Sequence, residues 1–228
     1  MLSRAFSEVL AVLAPPICAG CRGVLPRADS LVCGDCLRAL PWLSGARCPR
    51  CALPAHGGGR CPARHAAFEL SWAPLAYEGS AQELVTALKF GGRLPLADVM
   101  AAHLAATAPP GLVRPGVVIV PVPLHPARRR SRGFDQAARL AGALGRRTGL
   151  PVSSCLRRRG ASTRQVGATR AERRRPDRLD VEAIGSAPAR ALLVDDVHTT
   201  GATLDACARA LRAHGVERVS AITYARTL

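Results

Sequence analysis

The sequence predicts an α/β protein, a mostly parallel sheet with helices on both faces, with a small cysteine-rich module at its N-terminal end. Three observations carry this. The continuous apolar runs "GVVIV" (116–120) and "ALLV" (191–194) suit strands buried on both faces. Segments of helical spacing alternate with them through short links. Seven of the nine cysteines fall between positions 18 and 61.

The expected division is a ribbon module over 1–67 and an α/β domain over 68–228. The chain starts "MLSRAFSEVLAVLA", whose apolar stretch Val9–Ala14 is short and follows Glu8. It is expected to be a short amphipathic helix rather than a signal peptide. No run reaches the ~18 apolar residues of a membrane span. The expected compartment is therefore the cytoplasm, where thiols stay reduced and serve as metal ligands rather than disulfides.

Cys18 and Cys21 ("CAGC") and Cys33 and Cys36 ("CGDC") are C-x2-C turns about a dozen residues apart, a spacing that closes four thiolates around one zinc ion. Cys48 and Cys51 ("CPRC") with Cys61 begin a second set that lacks one ligand. Arg64 stands where a fourth cysteine would complete it. His65 beside it and His56 in the intervening Gly-rich loop are alternative ligands, and a second site that holds no metal is the other reading. So short a segment cannot bury much core, which gives the metal a structural role.

From Phe68 the α/β pattern begins. "YEGSAQELVTALKFGG" is a turn and a helix ending at Gly91 and Gly92. "LPLADVMAAHLAATA" is a second helix. "GVVIVPVPLH" is a strand interrupted by Pro121 and Pro123. "FDQAARLAGALGRRTG" is a helix with Leu140 and Leu144 on one face. "ARALLVDDV" is a strand, "TLDACARALRAHG" a helix with Cys207 in the core, and "VERVSAITYA" the last strand. Two basic runs, "ARRRSR" (127–132) and "RRRGASTRQVGATRAERRRPDR" (157–178), are expected to be mobile loops, either simply solvated or serving as a hood that closes over pyrophosphate or a track for nucleic-acid phosphates.

The net charge of +16 favours polyanionic partners. An Ala-, Arg-, Gly- and Pro-rich composition also follows from GC-rich coding, so arginine clusters are more informative than the sum. All but one of the 32 basic residues are arginine. Lys89 is the exception, and a position that keeps lysine in this background calls for a compact ammonium. Aromatic residues make up only 4%, too few to support sequence-specific reading of single strands by stacking.

In parallel sheets the ligand sits outside the carboxyl ends of the strands. Here those ends are "PVPLH" (121–125) and "DDVHTTGAT" (195–203). Gly201 allows a tight turn. Backbone N–H groups and the hydroxyls of Thr199, Thr200 and Thr203 at a helix N-terminus make a phosphate cradle. Asp195 and Asp196 cannot hold a phosphate themselves. They accept hydrogen bonds from vicinal hydroxyls or approach a magnesium-bound sugar. The expected ligand combines a ribose diol with a terminal phosphate.

An apolar strand, two acids and a Thr/Gly loop resemble the 5-phosphoribosyl pyrophosphate (PRPP) signature of type I phosphoribosyltransferases. With "PVPLHPARRRSRGFDQA", "TRQVGATRAERRR", "YEGSAQELVTALKFGGR" and the cysteine knuckles, the chain resembles the ComF family of competence-associated proteins from about Cys18 to Tyr224. The resemblance implies a phosphoribosyltransferase-like fold, a double zinc ribbon and a part in DNA uptake during natural transformation. It implies that Asp195 and Asp196 engage the ribose hydroxyls, as catalytic residues if turnover occurs. Thr199, Thr200, Gly201, Ala202 and Thr203 match the 5'-phosphate loop, and Pro121, Val122 and Pro123, continuing to His125, match the pyrophosphate loop. Arg132, Gly133, Phe134 and Gln136 match an R-G-F-N-Q element in which Asp135 replaces Asn. Gln165 and Arg173 match the segment before the last strand pair, and Lys89 matches the lysine of "KFGG". Asn and Phe of the family pattern are replaced by Pro176 and Val181, and the fourth cysteine of the second ribbon is missing.

These features lead to a protein that binds PRPP with Mg2+ and carries Zn2+. Arg128, Arg132 and Lys89 are expected to neutralise pyrophosphate, and pentosyl transfer is the reaction class, with turnover left open. Purine-salvage relatives have an Asp as base where this chain has Thr199, which disfavours a 6-oxopurine acceptor. His198 is another candidate base. Two alternatives stand beside this reading: a non-catalytic single-stranded DNA-binding adaptor of the competence machinery, with a competence helicase as partner, and a nucleobase-salvage transferase.

Overall fold

The structure is a computed structural model that describes residues 15–27, 29–54, 59–158 and 180–228. Its elements are α1 (Gly34–Arg38), β1 (Leu70–Trp72), β2 (Leu75–Ala76), α2 (Gly79–Phe90), α3 (Leu96–Thr107) and β3 (Val118–Pro121). They are followed by α4 (Pro126–Arg132), α5 (Gln136–Thr148), β4 (Leu156–Arg158), β5 (Val181–Ala183), β6 (Arg190–His198), α6 (Ala202–Ala213) and β7 (Arg218–Arg226).

The main sheet has five strands in the order β1-β7-β6-β3, with β2 also pairing β7. Every pairing in it is parallel. The central strands alternate between two cores, which is why their sequence is apolar at consecutive positions. Leu192 and Val194 of β6, with Ile222 and Tyr224 of β7, face α2, α3 and α5 through Leu84, Leu88, Met100, Leu140 and Leu144. Leu193, Val219 and Ala221 face Leu204, Cys207 and Leu211 of α6 on the other side. Helices on both faces of a mostly parallel sheet are the expected fold class. Among the described residues no helix is long and apolar enough to cross a membrane.

Caps explain one departure from expectation. The basic run at 127–132 is a helix, not a loop. His125 accepts from the Ala127 N–H (3.2 Å), Pro126 supplies the first turn, and Gly133, at φ 75°, closes it by donating to Arg129 O. The second basic run, with Gln165 and Arg173, lies outside the described residues apart from Arg157, Arg158 and their flank. The short strands β1, β2, β4 and β5 also went unanticipated. Each has only two or three residues, too few to display a period.

The cysteine-rich segment is stitched onto the sheet. Leu43 N–H donates to Pro74 O (2.8 Å), Ala76 N–H to Pro41 O (2.9 Å) and Ser71 N–H to Pro49 O (2.8 Å). Ala19 and Leu40 join the same core as α2 and α3.

Candidate functional site

The Sγ atoms of Cys18, Cys21, Cys33 and Cys36 all lie within 4.8 Å of one another, as do those of Cys48, Cys51 and Cys61. Cys21 and Cys33 are 3.8 Å apart, and Cys48 and Cys61 3.7 Å. Zinc–sulfur bonds of about 2.3 Å at tetrahedral angles set sulfurs about 3.8 Å apart, whereas a disulfide needs about 2.05 Å. Both groups therefore fit zinc.

The two knuckles repeat in detail. Cys18 N–H donates to Gly23 O and Arg22 N–H to Cys18 O; Cys48 N–H donates to Leu53 O and Ala52 N–H to Cys48 O. Arg22 (φ 62°) and Ala52 (φ 59°) both adopt the left-handed conformation after the second cysteine of each turn. In the first group, Cβ at Gly20 would lie 2.7 Å from Cys36 Sγ, so the knuckle requires glycine there. Burial opposes ionisation of Cys18, but N–H groups of Cys33, Cys21 and Gly20 outweigh it and bring its pKa down to about 6. Burial and the neighbouring thiols push Cys36 up to about 12. Metal binding must therefore displace protons, and affinity rises with pH.

In the second group Arg64 occupies the fourth cysteine's place in the sequence pattern. His65 is not part of the thiol group; its carbonyl accepts from Arg209. His56 lies outside the described residues.

The acids stand at the carboxyl edge of the sheet. β3 and β6 are parallel neighbours, so the loops that follow them leave from the same edge. Val122 N–H donates to Val194 O (3.0 Å), which lays the Pro121–Val122–Pro123 segment beside Asp195. Asp135 caps α5 by accepting from Ala138 N–H (3.0 Å) and also accepts from Leu124 N–H (3.3 Å). The departure from Asn thus keeps the acceptor that ties this loop down.

Asp196 is 4% exposed. Its Oδ1 is 2.7 Å from Lys89 Nζ, and its Oδ2 is buried without a partner. Asp195 is half-buried and accepts from the Asp196 N–H (2.8 Å). Burial and the charge of Asp196 push Asp195 well above the usual carboxylate range. Beside Lys89 opens a cleft of about 720 Å3 lined by Tyr77, Phe90, Arg128, Arg132 and Phe134. The Arg132 guanidinium sits 4.7 Å from the Phe90 ring centre and donates to Gln136 Oε1 (3.0 Å). Lys89 therefore bridges the acidic pair and the cationic cleft.

After His198, Thr199 and Thr200 are exposed and Gly201 turns at φ 82° into α6. The helix has no side-chain cap from Gly201, and only Thr200 Oγ1 accepts from Ala202 N–H (3.3 Å). The first amides of a helix lack partners within it, which makes such a start a place where an anion can bind. Asp205 in the first turn is engaged elsewhere, by Ala67 N–H and Arg209.

His198 is not placed as a base. It is 2% exposed, its ring packs edge-on to Phe68, and Nε2 lies against Gly201. Burial, aided by the Arg226 charge, lowers its pKa to about 4, so it is neutral near pH 7. Arg226 itself was not singled out in the sequence. The only available signal was a charge inside the apolar run "AITYAR".

Fold and site together define a class: a cysteine-ribbon α/β protein with paired acids and an uncapped helix N-terminus at one sheet edge. Residues 9–64 match the model of the double zinc ribbon domain. The chain is 31% identical over 228 residues to the DNA utilization protein YhgH of Salmonella typhi, covering 94% of this chain and 98% of that protein. It is 27% identical over 219 residues to the competence protein ComFC of Bacillus subtilis (strain 168), covering 89% and 87%. It is 34% identical over 113 residues to competence protein F of Haemophilus influenzae, covering 47% and 49%. Among solved structures it is similar to the allosteric regulatory enzyme of purine biosynthesis at 20% identity and a TM-score of 0.37, covering 55% of this chain and 24% of that one. The chain belongs to the ComF family, and its N-terminal cysteines form a zinc-binding ribbon.

Proposed function

We propose that the carboxyl-edge site binds PRPP, or another phosphorylated ribose, and that the protein serves DNA uptake, as the names of its competence relatives suggest for them. The observation that carries this is the pairing of Asp195 and Asp196 with the uncapped start of α6, next to the Arg128–Arg132 cleft. Asp195, the half-buried member of the pair, accepts hydrogen bonds from ribose hydroxyls, and Asp196 stands behind it on Lys89. The amides and hydroxyls of Thr199–Thr203 hold the 5'-phosphate. The Pro121–Pro123 segment, with Arg128 and Arg132, faces the pyrophosphate. Bound Mg2+ would screen the phosphates. The reaction class served is pentosyl transfer. The bond from C1 to pyrophosphate breaks, an acceptor lone pair makes the new bond at C1, and the arginines take up the leaving charge.

Calorimetric titration with PRPP, with and without magnesium, tests the reading. Micromolar binding that disappears in Asp195→Ala/Asp196→Ala is expected. No binding by the wild type, or equal binding by the variant, overturns it. The net charge of +16 favours a second activity, contact with single-stranded DNA through phosphates. That affinity falls steeply with salt and survives the acid-pair substitutions.

A further inference from the structure

The second cysteine group and the phosphate loop are joined by one buried side chain. Arg226, 5% exposed at the end of β7, donates from Nε to Cys51 O (2.9 Å). From Nη1 it donates to the carbonyls of His198 (2.8 Å) and Thr199 (2.5 Å). One end of the guanidinium thus grips a knuckle of the Cys48–Cys51–Cys61 group, and the other grips the residues that open the Thr199–Thr203 loop. The partners of Arg226 among the described residues are carbonyls, not carboxylates. Burial works against its charge, and Cys51, which becomes a thiolate when it holds metal, is the group placed to support it.

The charges account for an arginine, rather than a fourth cysteine, at position 64. Zinc held by three thiolates carries one surplus negative charge, and Arg226 supplies one positive charge against it. A fourth thiolate at Arg64 would leave two. The three thiolates of the described group therefore balance the buried arginine as they stand.

We propose that Arg226 is a positioning residue that makes the ligand affinity of the Thr199–Thr203 loop depend on metal loading of the Cys48–Cys51–Cys61 group. Metal fixes the Cys51 carbonyl and holds the compensating charge beside the guanidinium. Arg226 then pins the His198 and Thr199 carbonyls, which sets the direction of the amides that follow. Coupling of this kind is reciprocal, so ligand at the loop also tightens metal at the cysteines. The inference rests on the ribose-phosphate reading above.

The test compares wild type, Cys61→Ser, Arg226→Gln and the double variant by zinc content, PRPP affinity with magnesium, and amide exchange over residues 199–203. Cys61→Ser is expected to lose one zinc, weaken PRPP about tenfold and speed exchange at the loop. Arg226→Gln is expected to keep its zinc at neutral pH and weaken PRPP similarly. The double variant should bind no worse than Arg226→Gln alone. A merely structural role for Arg226 makes the two losses multiply, and that result overturns the proposal. So does a Cys61→Ser protein that loses zinc yet keeps wild-type affinity and exchange. Should Arg226→Gln fail to fold, withdrawal of the weaker zinc from wild type with a zinc-selective chelator asks the same question, and an unchanged loop refutes the proposal. Should wild type not bind PRPP, the ribose-phosphate reading falls, and the exchange measurement still decides whether group and loop are linked.

Discussion

Replacing Lys89 by Met should destabilise the protein far more than a surface lysine would. The Lys89 and Asp196 side chains are 19% and 5% exposed, and their charged atoms are 2.7 Å apart. The other oxygen of Asp196 is buried without a partner. Removing the ammonium leaves an uncompensated buried carboxylate, which costs about 3–5 kcal/mol. At a urea slope of about 2 kcal/mol/M, the unfolding midpoint falls by about 1.5–2.5 M. The control is Asp196→Asn, which is neutral at the same place. In that background Lys89→Met should cost less than about 1 kcal/mol, because no charge is stranded. Urea unfolding followed by far-UV circular dichroism on the four proteins closes the cycle. A single Lys89→Met variant within about 1 kcal/mol of wild type, or an equal loss in the Asn background, refutes the ion pair as the reason this position is lysine.

Gly201→Ala should lower stability by about 1–3 kcal/mol and abolish PRPP affinity, because φ is 82° and the new Cβ would lie 2.7 Å from His198 Nε2; a variant with wild-type affinity contradicts the loop assignment. Gly20→Ala should cost the protein the zinc of the first group, since Cβ would lie 2.7 Å from Cys36 Sγ; metal analysis after gel filtration reads this, and full zinc content refutes it. His198 is neutral in the folded protein, with its pKa lowered to about 4 from 6.5. Its contribution, about 3 kcal/mol, is therefore fully present above about pH 6.5 and lost as pH falls toward 4, where unfolded histidine takes a proton that the folded one refuses. His198→Gln should flatten that part of the urea midpoint profile, and an unaltered profile speaks against a buried neutral ring.

How much of this was legible depended on the reach of each signal. The two-sided burial of β6 was plain in "ALLV", and the thiol spacing that makes the first zinc group was plain in "CAGC" and "CGDC". The charges of the 127–132 run dominate its composition and hide a helix, which His125, Pro126 and Gly133 cap. The short strands β1 and β2 form because β7 offers them a parallel edge, a tertiary cause with no local periodicity. Lys89 stands out in the sequence as a single ammonium among guanidiniums, and its partner in the structure is Asp196. That pairing joins residues 89 and 196, a contact that no local spacing encodes. Arg226 was hidden for the same reason, since its meaning lies in carbonyls of residues 51, 198 and 199.

The paired acids in a chain of net charge +16 are reconciled by where their charge goes. Lys89 neutralises Asp196, and burial beside it holds Asp195 toward its protonated form. The acids thus add little negative field to the cleft that Arg128 and Arg132 line. A lysine suits this better than an arginine, because a compact ammonium meets one carboxylate oxygen in a narrow place, while a guanidinium brings five donors that need partners. What remains outside is a site with acceptors for hydroxyls on one side and donors for anions on the other. A simple polyanion needs only the second. A sugar phosphate needs both, and this is the physical argument behind the ribose-phosphate site proposed above.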